Sequence, residues 1–182
     1  MLNLVALGLR GFMFLAAAVV LGLSVTLAKH QVVGGPPAET SFASFTGGFG
    51  VFAAAVGIAA IFFEAIPSLV PLALDGLSAL FFLAGGIALT MAMKDVSCTS
   101  TANGQDLVRY LNKILNGGCY TPDNCGVNEG FRRSEDLVNE LKGRCVRVQA
   151  DFSFQYIAFV AALACLVVTF LSVRRSGTRV FA

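Results

Sequence analysis

The chain has no tryptophan, only three tyrosines and one histidine, and just 13% of its residues are charged. A soluble domain carries about a quarter of its residues as charges, so this composition excludes one. The mean hydropathy of +0.75 agrees. A formal net charge of +2 is too small for a nucleic-acid partner. No glycine-rich phosphate loop opens a helix and no basic stretch is interleaved with aromatics, which removes the nucleotide and nucleic-acid classes. The shortage of tryptophan and tyrosine leaves a thin interfacial belt. No C-x-x-C pair occurs, and His30 stands far from the cysteines, so the usual zinc patterns are missing. There is no N-x-S/T sequon, so N-glycosylation is not expected.

What the chain has in abundance is apolar length. A spanning helix needs about 20 apolar residues, and four segments qualify, at about 7–28, 43–63, 72–93 and 152–173. Between the third and fourth lies a polar stretch, 94–151, which holds most of the charges. The expected fold class is an all-α membrane protein, a four-transmembrane-helix bundle with one sizeable loop. The first segment reads as a retained anchor rather than a signal peptide, because it lacks a basic start and ends in the poor cleavage site "LSVTLAKH".

An even number of spans puts both termini on one side. Arg174, Arg175 and Arg179 follow the last span with no acid among them, and Arg10 lies early in the first. The positive-inside rule then makes the termini cytosolic. The cysteines agree. Cys98, Cys119, Cys125 and Cys145 all lie in the large loop, while Cys165 falls in the fourth span as a small buried residue. An even set in one polar loop points to disulfides on an oxidising, extracellular or lumenal side. Three pairings are open. The favoured one joins Cys98 to Cys145, where the loop leaves and re-enters the membrane, and Cys119 to Cys125 as a small inner loop.

The loop itself carries two helical patterns. In "GQDLVRYLNKILNGG", Leu107, Val108, Leu111, Ile114 and Leu115 share a face, and Gly117 and Gly118 end it. In "SEDLVNELKG", Ser134 suits an N-cap, Glu135 and Asp136 the first turn and Lys142 the last. Two short amphipathic helices are therefore expected. They either pack on each other and on the bundle or offer an apolar face to headgroups or a neighbouring subunit.

The segment "FFEAIPSLVPLALDGLSALFF" places Glu64 and Asp75 in an apolar run, with Pro67 and Pro71 between them. Counting about 20 residues inward from the outer boundaries brings Arg10, Glu64 and Asp75 to one depth, the cytosolic interface. Charges at that depth pair or face the bundle interior. The expectation is an ion pair or triad of Arg10 with Asp75, Glu64 or both, the two prolines marking a tight turn. Separate snorkelling is the simpler alternative. A proton or ion relay needs polar groups through the full depth, and the outer halves of the spans read as nearly devoid of them.

Small residues recur four apart. Gly50 and Ala54, and Ala53 and Gly57, do so in span two; Ala84, Ala88 and Ala92 in span three; Ala18 and Gly22 in span one. This spacing lets membrane helices approach closely.

Three stretches together, "LRGFMFLAAAVVLGL", "FFEAIPSLVPLALDGLSALFF" and "RCVRVQADFSFQYIAF", resemble the fungal MARVEL-domain tetraspans of the non-classical export protein family. The resemblance covers all four spans, and Cys98 and Cys145 sit where that family carries loop cysteines. The departure is a longer loop with the extra pair Cys119 and Cys125. The resemblance implies a non-enzymatic, MARVEL-like plasma-membrane organiser. It would have no catalytic residues, metal or cofactor beyond bound membrane lipids, sterol or sphingolipid. Its partners would be those lipids, further copies of itself and other plasma-membrane domain proteins. It also implies links to eisosomes, to sphingolipid response and to unconventional secretion.

Other classes compete with this. A tetraspanin-like adaptor fits the loop placement, but its Cys-Cys-Gly hallmark is replaced by "NCG" at 124–126. A claudin would carry its cysteines and a tryptophan in the first outer loop. A membrane thiol oxidoreductase could use Cys119 and Cys125 as a shuttle pair, yet no C-x-x-C is there to receive electrons. A small transporter has only the prolines and Asp75 in its favour and shows no inverted repeat.

Overall fold

The computed structural model describes residues 2–63, 66–100, 102, 104–121, 124–128 and 134–178. Three long helices come first, α1 (Leu2–Lys29), α2 (Ala38–Phe62) and α3 (Leu69–Ala92). The polar loop follows with a short α4 (Gln105–Leu111), a two-stranded antiparallel hairpin, β1 (Cys119–Thr121) with β2 (Asn124–Cys125), and a 3-10 turn at Gly126–Asn128. The last helix, α5, runs from Ser134 to Thr178. Four helices are long and apolar enough to cross a membrane.

These four form a closed ring. Helix α1 packs on α2 and α5, and α3 packs on the same two. The loop caps the end where α1 and α3 finish and α2 begins; the opposite end carries the start of α1 and the end of α5. At that terminal end Pro71 is the third residue of α3, where a helix has no internal acceptor for an N–H anyway. The Pro67 carbonyl accepts the Val70 N–H at 2.9 Å.

Residues 135–174 form one unbroken apolar-ended helix of 40 residues. At a rise of 1.5 Å per residue that is about 60 Å, twice a hydrocarbon core of about 30 Å. The expected second loop helix is therefore not separate: it is the outward extension of the fourth span. Gly143 does not end it. A mid-helix glycine costs only about 1 kcal/mol against alanine, and here Leu141, Cys145 and Val148 are buried on either side of it. Ser134 opens the helix rather than preceding it.

The core between the spans is built largely from alanines, with Met13, Val20 and Phe82 filling the wider gaps. A second core lies at the cap end, where Leu27, Ala43 and Leu89 of the bundle meet Ile114, Leu115 and Val127 of the loop. The cap is thus continuous with the bundle.

The small residues of span two lie where expected, with Gly50, Ala53, Ala54 and Gly57 all buried. Those of the other spans do not. Ala84 is exposed and Ala88 and Ala92 are only half-buried, while the neighbouring Gly85 and Gly86 face the bundle. Ala18 and Gly22 likewise face outward. The four-residue spacing was right in period but one step off in phase, because a span that is apolar all round gives no polar face to orient it.

At Gly47 the backbones of two spans approach directly. A Cβ there would stand 2.5 Å from the backbone nitrogen of Leu21, whereas a Cβ on Gly22 would meet nothing within 4 Å. Gly47→Ala is therefore expected to push α1 from α2 and cost about 1–3 kcal/mol, the usual range for overpacking. Gly22→Ala should leave the unfolding midpoint in detergent unchanged or slightly raised. Equal effects of the two would remove this packing assignment.

Candidate functional site

Apart from Thr40 and Ser78, the buried polar groups of the spans gather in two layers, and each layer is touched by all four long helices. In the first, near the terminal end, the Arg10 guanidinium donates to both carboxylate oxygens of Asp75, Nη1 to Oδ1 and Nη2 to Oδ2, each at 2.9 Å. Arg10 is 3% exposed and Asp75 fully buried. The same Nη2 donates to the Thr169 hydroxyl at 2.9 Å, and that hydroxyl donates on to Asp75 at 3.3 Å. These contacts join α1, α3 and α5. Helix α2 contributes Gly57, whose missing side chain makes the room: a Cβ there would collide with the guanidinium. Glu64, the third member of the expected cluster, lies outside the described residues.

The second layer lies toward the cap. The Ser24 hydroxyl donates to Asp151 Oδ2 at 2.5 Å, and Gln155 Nε2 donates to Asp151 Oδ1 at 3.3 Å. Thr46 Oγ1 reaches Gln155 Oε1 at 3.4 Å while also bonding the Ala43 carbonyl at 2.8 Å. Here α3 contributes Gly85, where a Cβ would strike the Gln155 side chain. Arg10 and Ser24 are 14 residues apart on α1, so the layers stand about 21 Å apart.

This second layer corrects the expectation that the outer halves of the spans lack polar groups. The apolar run begins at 152 and so leaves Asp151 in the loop by one residue. The i, i+4 spacing of Asp151 and Gln155 was the signal available. Between the layers the interior is mainly apolar, with Met13, Ala17, Val20 and Phe82 at its centre, and its buried polar groups among the described residues are the Ser78 hydroxyl and the Cys165 thiol.

The cap is held by both disulfides, Cys98–Cys145 and Cys119–Cys125. The first ties the chain leaving α3 to the extension of α5. The second closes the hairpin, whose ladder pairs the same two residues. Cys165 is a buried free thiol in α5. Gly117 and Gly118 both take positive φ, 77° and 80°. That turn presents the Gly117 carbonyl to the N–H groups of Val32 and Val33 at 2.9 and 3.0 Å, so the cap also grips the α1–α2 connection. A Cβ on Gly118 would collide with the Val33 carbonyl.

Helix α4 departs from the expected pattern. It stops at Leu111, where Asn112 turns extended and its side chain donates to the Ala92 carbonyl at 2.8 Å. Ile114 and Leu115 are buried beyond it, but Leu107 and Leu111 face outward. The fully buried residue of α4 is Arg109. Its Nε donates to the Ser97 carbonyl at 2.8 Å, and its other nitrogens bond the Ser100 carbonyl and Asp106. Arg144 plays a similar part on α5, donating to the Leu115 carbonyl at 3.1 Å and to Glu140 at 2.9 Å. Burial pushes the Glu140 carboxyl up, but Arg144, Arg147 and His30 together hold it below its usual range. Sequence pattern did not reveal either arginine as an anchor, since a loop arginine is ordinarily a solvated one.

Comparison with curated proteins and with solved structures found no match. The family model of the MARVEL membrane-associating domain matches residues 3–168, from the start of α1 to within the apolar part of α5. That match takes in the cap with its four cysteines and both polar layers except Thr169, one residue past its end. This chain is a multi-pass membrane protein that belongs to the MARVEL membrane-associating domain family.

Proposed function

We propose that this protein is a non-enzymatic organiser of membrane, self-associating laterally and binding lipids in a plasma-membrane domain. The termini are cytosolic and the cap extracellular in this reading, as the tail arginines and the disulfides both favour. Its finer kinship is with the fungal non-classical export tetraspans, and with it come the eisosome, sphingolipid-response and unconventional-secretion roles.

The observation that carries the proposal is where the polar chemistry goes. Arg10, Asp75, Thr169, Ser24, Asp151, Gln155 and Thr46 bond to one another inside the ring. What the spans turn outward is bulky and apolar. Phe12, Phe52, Leu80 and Val160 are all exposed. Phe81 of α3 meets Phe45 and Phe49 of α2 edge-on, with ring centroids 5.3 and 5.0 Å apart. A surface of rings beside small residues is a contact surface for lipids and neighbouring bundles, and packing is how membrane helices gain association energy. Between the layers only the Ser78 hydroxyl and the Cys165 thiol are buried polar groups among the described residues, too few for a continuous proton relay.

Native mass spectrometry of protein released gently from its own membrane tests this. A discrete oligomer with retained lipid and two disulfides is the expected result. A lipid-free monomer would overturn the organiser reading, and a bound quinone with mixed-state thiols would move the weight to redox chemistry at Cys119 and Cys125. Thiol labelling of intact cells checks the topology: the four loop cysteines should react only after reduction.

A further inference from the structure

A groove at the edge of the cap lies outside both polar layers. Met91, Lys94, Asp95 and Val96, at and just beyond the end of α3, form one wall; Leu111 and Asn112 of the α4 segment form the other. It encloses about 250 Å³.

Its depth follows from α3. That helix has 24 residues, about 36 Å of rise, slightly more than a hydrocarbon core of about 30 Å. Its last turn therefore sits where acyl chains give way to headgroups. The Asn112-to-Ala92 bond fixes the end of α4 at the same level. Leu107 and Leu111, one turn apart, are 60% and 64% exposed, and Leu111 lines the groove opposite the exposed Met91 of α3. A short helix with such a face lies in the interface plane rather than above it.

The mouth of the groove carries one cation and one anion. Lys94 and Asp95 are both exposed, and neither side chain forms an ion pair with any described residue. An anionic headgroup would meet the Asp95 carboxylate as well as the ammonium. A headgroup with a phosphodiester and its own ammonium satisfies both, phosphate against Lys94 and ammonium against Asp95, while its chains descend along Met91, Leu107 and Leu111.

We propose that this groove binds a zwitterionic membrane lipid, with α4 seated in the bilayer interface beside it. The proposal rests on the lipid-binding reading above and gives it a place and a headgroup chemistry.

The absence of native tryptophan makes the test clean. Leu107→Trp and Asp136→Trp each introduce a single fluorophore. The second sits on the α5 extension, about 24 Å beyond residue 152. In phosphatidylcholine nanodiscs holding one protein each, shallow brominated lipid should quench Leu107→Trp strongly and Asp136→Trp hardly at all. A phosphatidylcholine photo-crosslinkable near its headgroup should label 91–96 and 107–112. Lys94→Glu should cut that labelling roughly tenfold, the loss of one charge-assisted contact, without changing labelling elsewhere on the spans.

Equal quenching of the two tryptophans overturns the placement of α4. Labelling indifferent to Lys94→Glu, or stronger with phosphatidylglycerol, overturns the headgroup assignment. Because each disc holds one copy, the outcome does not depend on self-association. Lost labelling with oligomers intact rejects this site alone, and retained labelling on a monomeric protein rejects only the organiser reading.

Discussion

Arg10→Ala is expected to lower stability by about 3–5 kcal/mol, the range for breaking a buried ion pair by removing one partner. Asp75, fully buried, would keep only the Thr169 hydroxyl. Asp75→Ala should cost a similar amount by stranding the guanidinium beside Gly57. The double variant should cost little more than either single one, since each single change already forfeits the pair. Unfolding midpoints in detergent give the cycle directly, and fully additive losses would show that the two residues do not act as a unit. Arg10→Lys should rescue only part of the loss, because an ammonium cannot reproduce two parallel bonds to one carboxylate. The cap-side layer offers a contrast. Interhelical hydrogen bonds inside membranes average about 0.6 kcal/mol in such cycles, so Ser24→Ala should cost far less than Arg10→Ala.

Replacing Cys98 and Cys145 together with serine is expected to be the second large effect. The bond spans 47 residues of sequence, the other only 6. By the loop-closure relation the longer link contributes about 4 kcal/mol and the shorter about 2. The longer also replaces two buried sulfurs with hydroxyls in a core shared by Leu141, Val148 and Leu115, where an unpaired hydroxyl is penalised. Limited proteolysis should therefore open the cap quickly in Cys98→Ser/Cys145→Ser and slowly in Cys119→Ser/Cys125→Ser. A reversed order would mean that the hairpin, and not the tie to α5, secures the cap.

Much of this architecture was legible because a bilayer imposes a length. Four apolar runs near 20 residues could be counted, and each lies on a long helix, though α2 and α3 stop one residue short, before Phe63 and Met93. Arg10 and Asp75 were also legible as a pair, since a charge in an apolar run has few places to go. Elsewhere the same uniformity hid the answer. Apolar residues surround each span, so Ala84, Ala88 and Ala92 could not be told from Gly85 and Gly86 as the packing face. The polar edge of a span is equally hard to read: Asp151 stands one residue outside the apolar run yet inside the bundle.

The loop shows the opposite failure. Its amphipathic pattern suggests two separate short helices, but only seven residues of the first are helical and the second is absorbed into α5. Local propensity could not anticipate Arg109 reaching back to Ser97, or Asn112 reaching Ala92, because both contacts cross between elements.

By itself, then, the sequence determined the number and approximate length of the spans, the segregation of four cysteines into one loop and the pairing of Arg10 with Asp75. Each of these follows from transfer energy or chain position, which act residue by residue. Only the tertiary structure decided which helix faces meet, that Gly57 and Gly85 make room for two polar layers, and that α4 turns its leucines outward. Those depend on side chains brought together from distant parts of the chain, and no local pattern encodes them.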